Sequence, residues 1–137
     1  MPEAKPRRLR NTPERRRAHA AGQPAEVPEN LTYLQIVGQV TRTGISQQEL
    51  GRAVGASVRT VQNWASGHAA PRVGSRQRLL DVQYLVAELR DVYTDEGIEI
   101  WLHARNRNLG GSRPIDLITA GEIDIVLEEA QRLAAAM

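Results

Sequence analysis

Carboxylates, imidazoles and a glycine pair are the residues in this 137-residue chain whose types catalysis commonly uses. Asp95, Glu96 and Glu99, and again Asp124, Glu128 and Glu129, lie close enough in sequence to suggest paired-carboxylate hydrolysis. Helical spacing instead puts both sets on solvated faces, near helix starts where acids complement the dipole. His19, His68 and His103 are scattered, without the intervals that metal ligands need. There is no cysteine, which excludes thiol nucleophiles, disulfides and cysteine-rich zinc sites. The "LGGS" run, Leu109 to Ser112, lacks both the Lys-Ser/Thr of a Walker loop and the spacing of a dinucleotide fingerprint. No enzymatic activity, metal or cofactor is expected from these residues.

Arginine, asparagine and glutamine remain, and their distribution is uneven. Residues 1–28 carry seven Lys or Arg against three acids, and residues 42–78 carry six Arg against Glu49 alone. Residues 79–137 reverse the sign, with five Arg against eleven acids. The net charge of +2 therefore hides a basic front and an acidic back. Such asymmetry points to an anionic partner for the front part only. The acidic part cannot add affinity for phosphate, so protein contact is its expected task. The lack of cysteine fits a reducing compartment, and no run reaches the roughly 18 to 20 apolar residues of a membrane span. The expected location is cytoplasmic.

The elements that position these residues follow from periodicity and caps, and predict an all-α fold. Residues 1–29 are rich in proline and arginine and poor in large apolar side chains, which predicts a disordered basic arm. Asn30 is the expected cap of a first helix with Leu31, Leu34, Val37 and Val40 on its inner stripe. Ser46 and Glu49 have capping-box spacing for a helix over 47–54, and Gly55 breaks it. Ser57 caps a third helix that reaches Ala65. A long fourth is expected from Ser75 to Tyr93, with Leu79, Val82, Leu85, Val86, Leu89 and Val92 on one face. A fifth covers 95–104, and Pro114 suits the first turn of a short sixth. A last helix over 122–136 carries Ile123, Val126, Leu127, Ala130 and Leu133 as its stripe.

Ile45 to Arg72, "ISQQELGRAVGASVRTVQNWASGHAAPR", has the capped second helix, glycine turn and buried Val61/Trp64 pattern of a helix-turn-helix. It resembles the Xre/Cro-like regulators over all of these residues. In that motif the second helix enters the major groove with its N-terminal residues toward the bases. Val58, Arg59, Gln62 and Asn63 are then the base-facing positions. Arg59 suits guanine O6 and N7, Gln62 or Asn63 suits adenine, and Val58 can touch a thymine methyl. Gln47 and Ser57 at helix N-termini, with Arg42, Arg72 and Arg76, suit phosphates. Thr60 is expected to pack or cap. One short recognition helix offers limited specificity, so a homodimer is expected.

Beyond residue 94 the chain "WLHARNRNLGGSRPIDLITAGEIDIVLEEAQRL" is similar to the toxin-binding domain of Xre/MbcA/ParS-type antitoxins. The features that match are the Trp-Leu helix, the Asn before Leu-Gly-Gly, the proline, the "DLI" turn and the amphipathic final helix. Arg105 or Arg107 stands where related sequences often carry a proline ahead of the asparagine. The resemblance implies a division into an arm over 1–29, a helix-turn-helix domain over 30–94 and a toxin-binding domain over 95–137. It further implies a RES-type toxin partner that consumes NAD, an antitoxin that covers the toxin's active site, a hetero-oligomer of the two, and repression of their own operon. Asn106, Arg107, Asn108 and Arg113 are the polar candidates for toxin contact. The tail Leu133, Ala134, Ala135, Ala136 and Met137 is the candidate plug for the NAD cleft. The alternative is a stand-alone helix-turn-helix regulator whose acidic half dimerises or senses a ligand.

Overall fold

The computed structural model describes residues 32–137; the basic arm, Asn30 and Leu31 lie outside the described residues. Among the described residues the chain is all-helical, with seven α-helices, one short 3-10 turn and no strand. Helix α1 (Tyr33–Arg42) is capped by Thr32, not by Asn30. The Thr32 hydroxyl accepts the Gln35 amide at 3.3 Å while the Thr32 amide donates to Gln35 Oε1 at 2.8 Å, a reciprocal capping box. The inner face is centred on the i,i+4 pair Ile36 and Val40 and not on the expected row of every third residue, which drifts around the helix. Leu34, expected inside, is 44% exposed, and Ile36 is buried with Val37 and Val40.

Helices α2 (Gln47–Val54) and α3 (Val58–Ala65) start and stop where the caps predict. Helix α4 runs Val73–Arg90, earlier at both ends than the Ser75–Tyr93 expectation. Its burial is wider than one stripe, because Leu80, Tyr84 and Glu88 are buried along with Leu79, Val82, Leu85, Val86 and Leu89, while Val92, expected on that face, lies beyond the helix and is half-buried. The reason is its central place: α4 packs on α1 and α2, and also on α5 (Asp95–His103) and α7 (Ile123–Ala135). A 3-10 turn over Arg107–Leu109, not anticipated from periodicity, leads to α6 (Pro114–Thr119).

The core is continuous from the helix-turn-helix into the acidic half. Ile36, Ile45, Leu50, Val61, Trp64 and Leu85 share one buried cluster with Ile98, Leu102, Ile115, Ile118 and Val126. Helix α6 packs directly on α2, so the two functional segments are joined by more than the α4 connection. Each fully buried aliphatic side chain here contributes about 1.5–3 kcal/mol relative to exposure. Aliphatic residues with Trp64 and Tyr84 supply this core, and Trp101 packs against it, in a chain without phenylalanine. Among the described residues no helix is long and apolar enough to cross a membrane.

Candidate functional site

The helix-turn-helix is built by reciprocal hydrogen bonds and one close approach. Glu49 N–H donates to Ser46 Oγ at 3.0 Å, and Ser46 N–H donates to Glu49 Oε1 at 2.9 Å. Gly51 is required where the turn crosses α2, because a Cβ there would sit 2.5 Å from the Ala56 carbonyl oxygen. Ser57 Oγ accepts the Thr60 amide at 3.1 Å and lies 3.0 Å from Thr60 Oγ1. Thr60 thus serves the cap. Val61 and Trp64 fill the inner side of α3, while Val58, Arg59, Gln62 and Asn63 all stand exposed on its outer side. Gln47 is half-buried at the first turn of α2, and Arg72 is exposed as the uncapped N-cap of α4. Arg42 and Arg76 are exposed as well. None of these four arginines takes part in the ion pairs Arg90–Asp95, His103–Glu49, Arg113–Asp116 or Arg132–Glu129. A helix with free donors and acceptors outward, flanked by unpaired guanidiniums, can hydrogen-bond base edges and neutralise phosphates.

The corner at 105–113 is organised differently. Asn106 Oδ1 accepts the Asn108 amide at 2.9 Å, and the Asn106 carbonyl accepts the Leu109 and Gly111 amides at 3.0 and 2.9 Å. The Asn106 amide donates to Ser112 O at 3.0 Å, so this side chain and its backbone close the loop. Gly110 and Gly111 have φ of 68° and 85°, the left-handed region that β-carbons disfavour. Arg105 donates to the Gly111 carbonyl at 3.2 Å. Leu109 is buried beneath the turn.

The other polar candidates are also largely engaged. Arg113 grips Asp116 with two bonds, Nε to Oδ2 at 2.9 Å and a terminal nitrogen to Oδ1 at 2.8 Å. Hydrogen bonding with Asp116 raises the Arg113 pKa, and the same bond holds the Asp116 carboxyl below its ordinary value. Asn108 Nδ2 donates to Glu129 Oε2 at 3.0 Å. Arg107 alone of the four candidates is exposed with no side-chain bond to another described residue.

Glu129 corrects the solvated-face expectation, for it is only 8% exposed. Arg132 binds it bidentately at 3.0 and 2.8 Å, which together with Asn108 satisfies the buried carboxylate. The Arg132 bonds lower its pKa against the opposing effect of burial, and Asn108 adds to the lowering. Asp124 and Glu128 are exposed as expected. In the tail, Leu133 and Ala134 are half-buried on α7, Ala135 and Ala136 are exposed, and Met137 is 81% exposed.

His68 Nδ1 lies 2.6 Å from Ser66 Oγ just after α3, and His103 faces Glu49 across the α2–α5 junction; His19 lies outside the described residues. No group of three or more His, Cys, Asp or Glu among the described residues could hold a metal ion. A cleft of about 400 Å³ between α2, α4 and the α6–α7 turn is lined by Arg52, Arg78, Asp81 and Asp124, and contains none of the candidate DNA- or toxin-contact residues.

Residues 88–134 match the family model of the antitoxin Xre/MbcA/ParS C-terminal toxin-binding domain. The matched stretch begins within α4 and covers the corner, α6 and nearly all of α7. The chain is 32% identical over 98 residues to the mycobacterial cidal antitoxin MbcA of Mycobacterium bovis, covering 72% of this chain and 87% of that protein. The same values hold for MbcA of Mycobacterium tuberculosis. A chain in the crystal structure of the M. tuberculosis MbcT-MbcA toxin-antitoxin complex superposes with a TM-score of 0.64 at 30% identity, covering 77% of this chain and 95% of that one. With the corner, the final helix and the preceding helix-turn-helix all accounted for, the chain belongs to the Xre/MbcA/ParS family of antitoxins.

Proposed function

We propose that this antitoxin neutralises a RES-type, NAD-consuming toxin encoded beside it by covering the toxin's active site, and represses their shared operon by binding operator DNA. The observation that carries the reading is the presence, in one chain, of a free polar recognition face on α3 and a matched toxin-binding segment. MbcA is found with MbcT in the crystal structure to which this fold is similar, which supports a cognate toxin as the partner here. Val58, Arg59, Gln62 and Asn63 address bases, while Gln47, Ser57, Arg42, Arg72 and Arg76 address phosphates. Arg107 is the free cation of the corner and the first residue for toxin contact there. Asn106, Asn108 and Arg113 act by holding the loop and the α6 start in shape. The end of α7 supplies the plug, with Ala135, Ala136 and Met137 as its accessible part. A homodimer presents two recognition helices to a two-fold operator, and the toxin joins it as a hetero-oligomer in the cytoplasm.

Co-expression with the adjacent open reading frame tests the reading. The expected result is a toxic neighbour that depletes NAD when alone, loses toxicity with this chain and co-purifies with it. A harmless neighbour, together with a ligand-dependent homodimer, would instead establish a stand-alone regulator.

A further inference from the structure

Two residues of α5 rest on the entry to α2. Gly44, with φ of 94°, leaves no room for a Cβ against the Glu99 side chain. One turn further along α5, His103 Nδ1 donates to the Glu99 carbonyl at 2.9 Å, which pins the ring. That bond aims Nε2 at Glu49 Oε2, 3.7 Å away, an ion pair in the imidazolium form. Glu49 is the carboxylate whose other oxygen accepts the Ser46 amide and closes the α2 capping box. Both side chains are about a quarter to a third exposed, so the contact lies at a partly dry seam rather than in open solvent. Helix α6 packs on both α2 and α5 at the same junction.

We propose that His103, a residue of the toxin-binding half, is a positioning residue for operator binding: it holds the Glu49 carboxylate and so sets the phosphate-facing N-terminus of α2 at Ser46 and Gln47. This deepens the proposed DNA-binding function and rests on it. A free capping carboxylate can exchange rotamers with solvent, whereas one whose Oε1 accepts the Ser46 amide and whose Oε2 is attracted by the protonated ring is biased toward a single orientation. The recognition unit is then completed by α5, outside the helix-turn-helix itself.

Two substitutions in the full chain separate the ring nitrogens. His103→Asn keeps a donor near Nδ1 for the Glu99 carbonyl but cannot reach Glu49. His103→Gln loses the first and keeps a donor near the position of Nε2. Affinity for a duplex from the chain's own promoter is read by fluorescence anisotropy, and individual phosphates by ethylation interference. The proposal expects His103→Asn to bind about threefold more weakly, the scale of one partly exposed ion pair. It also expects loss of the interference at the phosphate beside Gln47, with His103→Gln near wild type and both variants still neutralising toxin. The reverse ranking, or equal binding by all three proteins, overturns it. A wild-type chain with no preference for its promoter over unrelated duplex overturns the DNA-binding reading, and the proposal with it.

Discussion

Helix α3 and the 105–113 corner are both rich in arginine and asparagine, yet they use these side chains in opposite ways. On α3 the backbone is satisfied by the helix and by Ser57, so Arg59, Gln62 and Asn63 remain free to face outward. The corner has no regular backbone ladder, and its own side chains supply the missing bonds. Asn106 closes the turn, Asn108 reaches Glu129, Arg105 caps the Gly111 carbonyl, and Arg113 clamps Asp116. A polar residue on a capped helix is available to a partner; the same residue in an irregular turn is first a structural part.

The largest effect should come from breaking the scaffold of the recognition face. Trp64→Ala removes a nearly buried ring that packs α3 onto the core and should cost about 3–5 kcal/mol in a urea melt. Operator binding would fall with the fold, whereas substitutions on the outer face should leave the melt unchanged.

Next are the groups whose bonds make the corner. Glu129→Ala strips Arg132 and Asn108 of their acceptor and should destabilise by about 1–3 kcal/mol. The folded pKa of Glu129 is depressed, so its stabilisation is present above the ordinary value of 4.5 and is lost as pH falls through the lower folded value. Urea midpoints measured down an acid series should therefore drop more steeply for wild type than for Glu129→Gln. Equal slopes would mean that the buried carboxylate is not held as described.

The face itself is tested by Arg59→Ala, which should weaken operator binding by about 1–3 kcal/mol while leaving stability and toxin binding intact. An unchanged shift assay would remove Arg59 from the base-reading set. The smallest effects on the fold are expected at Arg107. Arg107→Ala should leave the melt as it is and slow toxin association, whereas Asn106→Ala should lower the melt first. If both behave alike, the contrast between free and structural polar groups in the corner fails.

Much of this contrast was legible in the sequence wherever local rules act alone. Ser46 with Glu49, Ser57 and Gly55 announced α2 and α3 with their ends, because caps and glycine turns depend on residues a few positions apart. Pro114 likewise announced the start of α6. What could not be read were long-range relations. Glu129 looks like one of several acids on a solvated face until Asn108, twenty-one residues earlier, is brought beside it. Leu34 is exposed because a row repeating every third residue drifts about 60° per step around a helix, so the Leu31/Leu34/Val37/Val40 row leaves the buried face, which is centred on the i,i+4 pair Ile36 and Val40 with Val37. The Thr32–Gln35 spacing was a usable signal for the start of α1. Leu109 became a core residue only when the 3-10 turn tucked it under α7, and the packing of α2 on α6 has no signature in either segment.

The proposed function requires two separable faces on one chain, α3 for DNA and the corner with the α7 end for toxin. Growth of cells expressing the neighbouring toxin, together with either Arg59→Ala or a chain lacking Leu133 to Met137, tests it most directly. The expected result is full rescue by Arg59→Ala and impaired rescue by the truncated chain, which still binds the operator. Rescue by the truncated chain with failure of Arg59→Ala would contradict it.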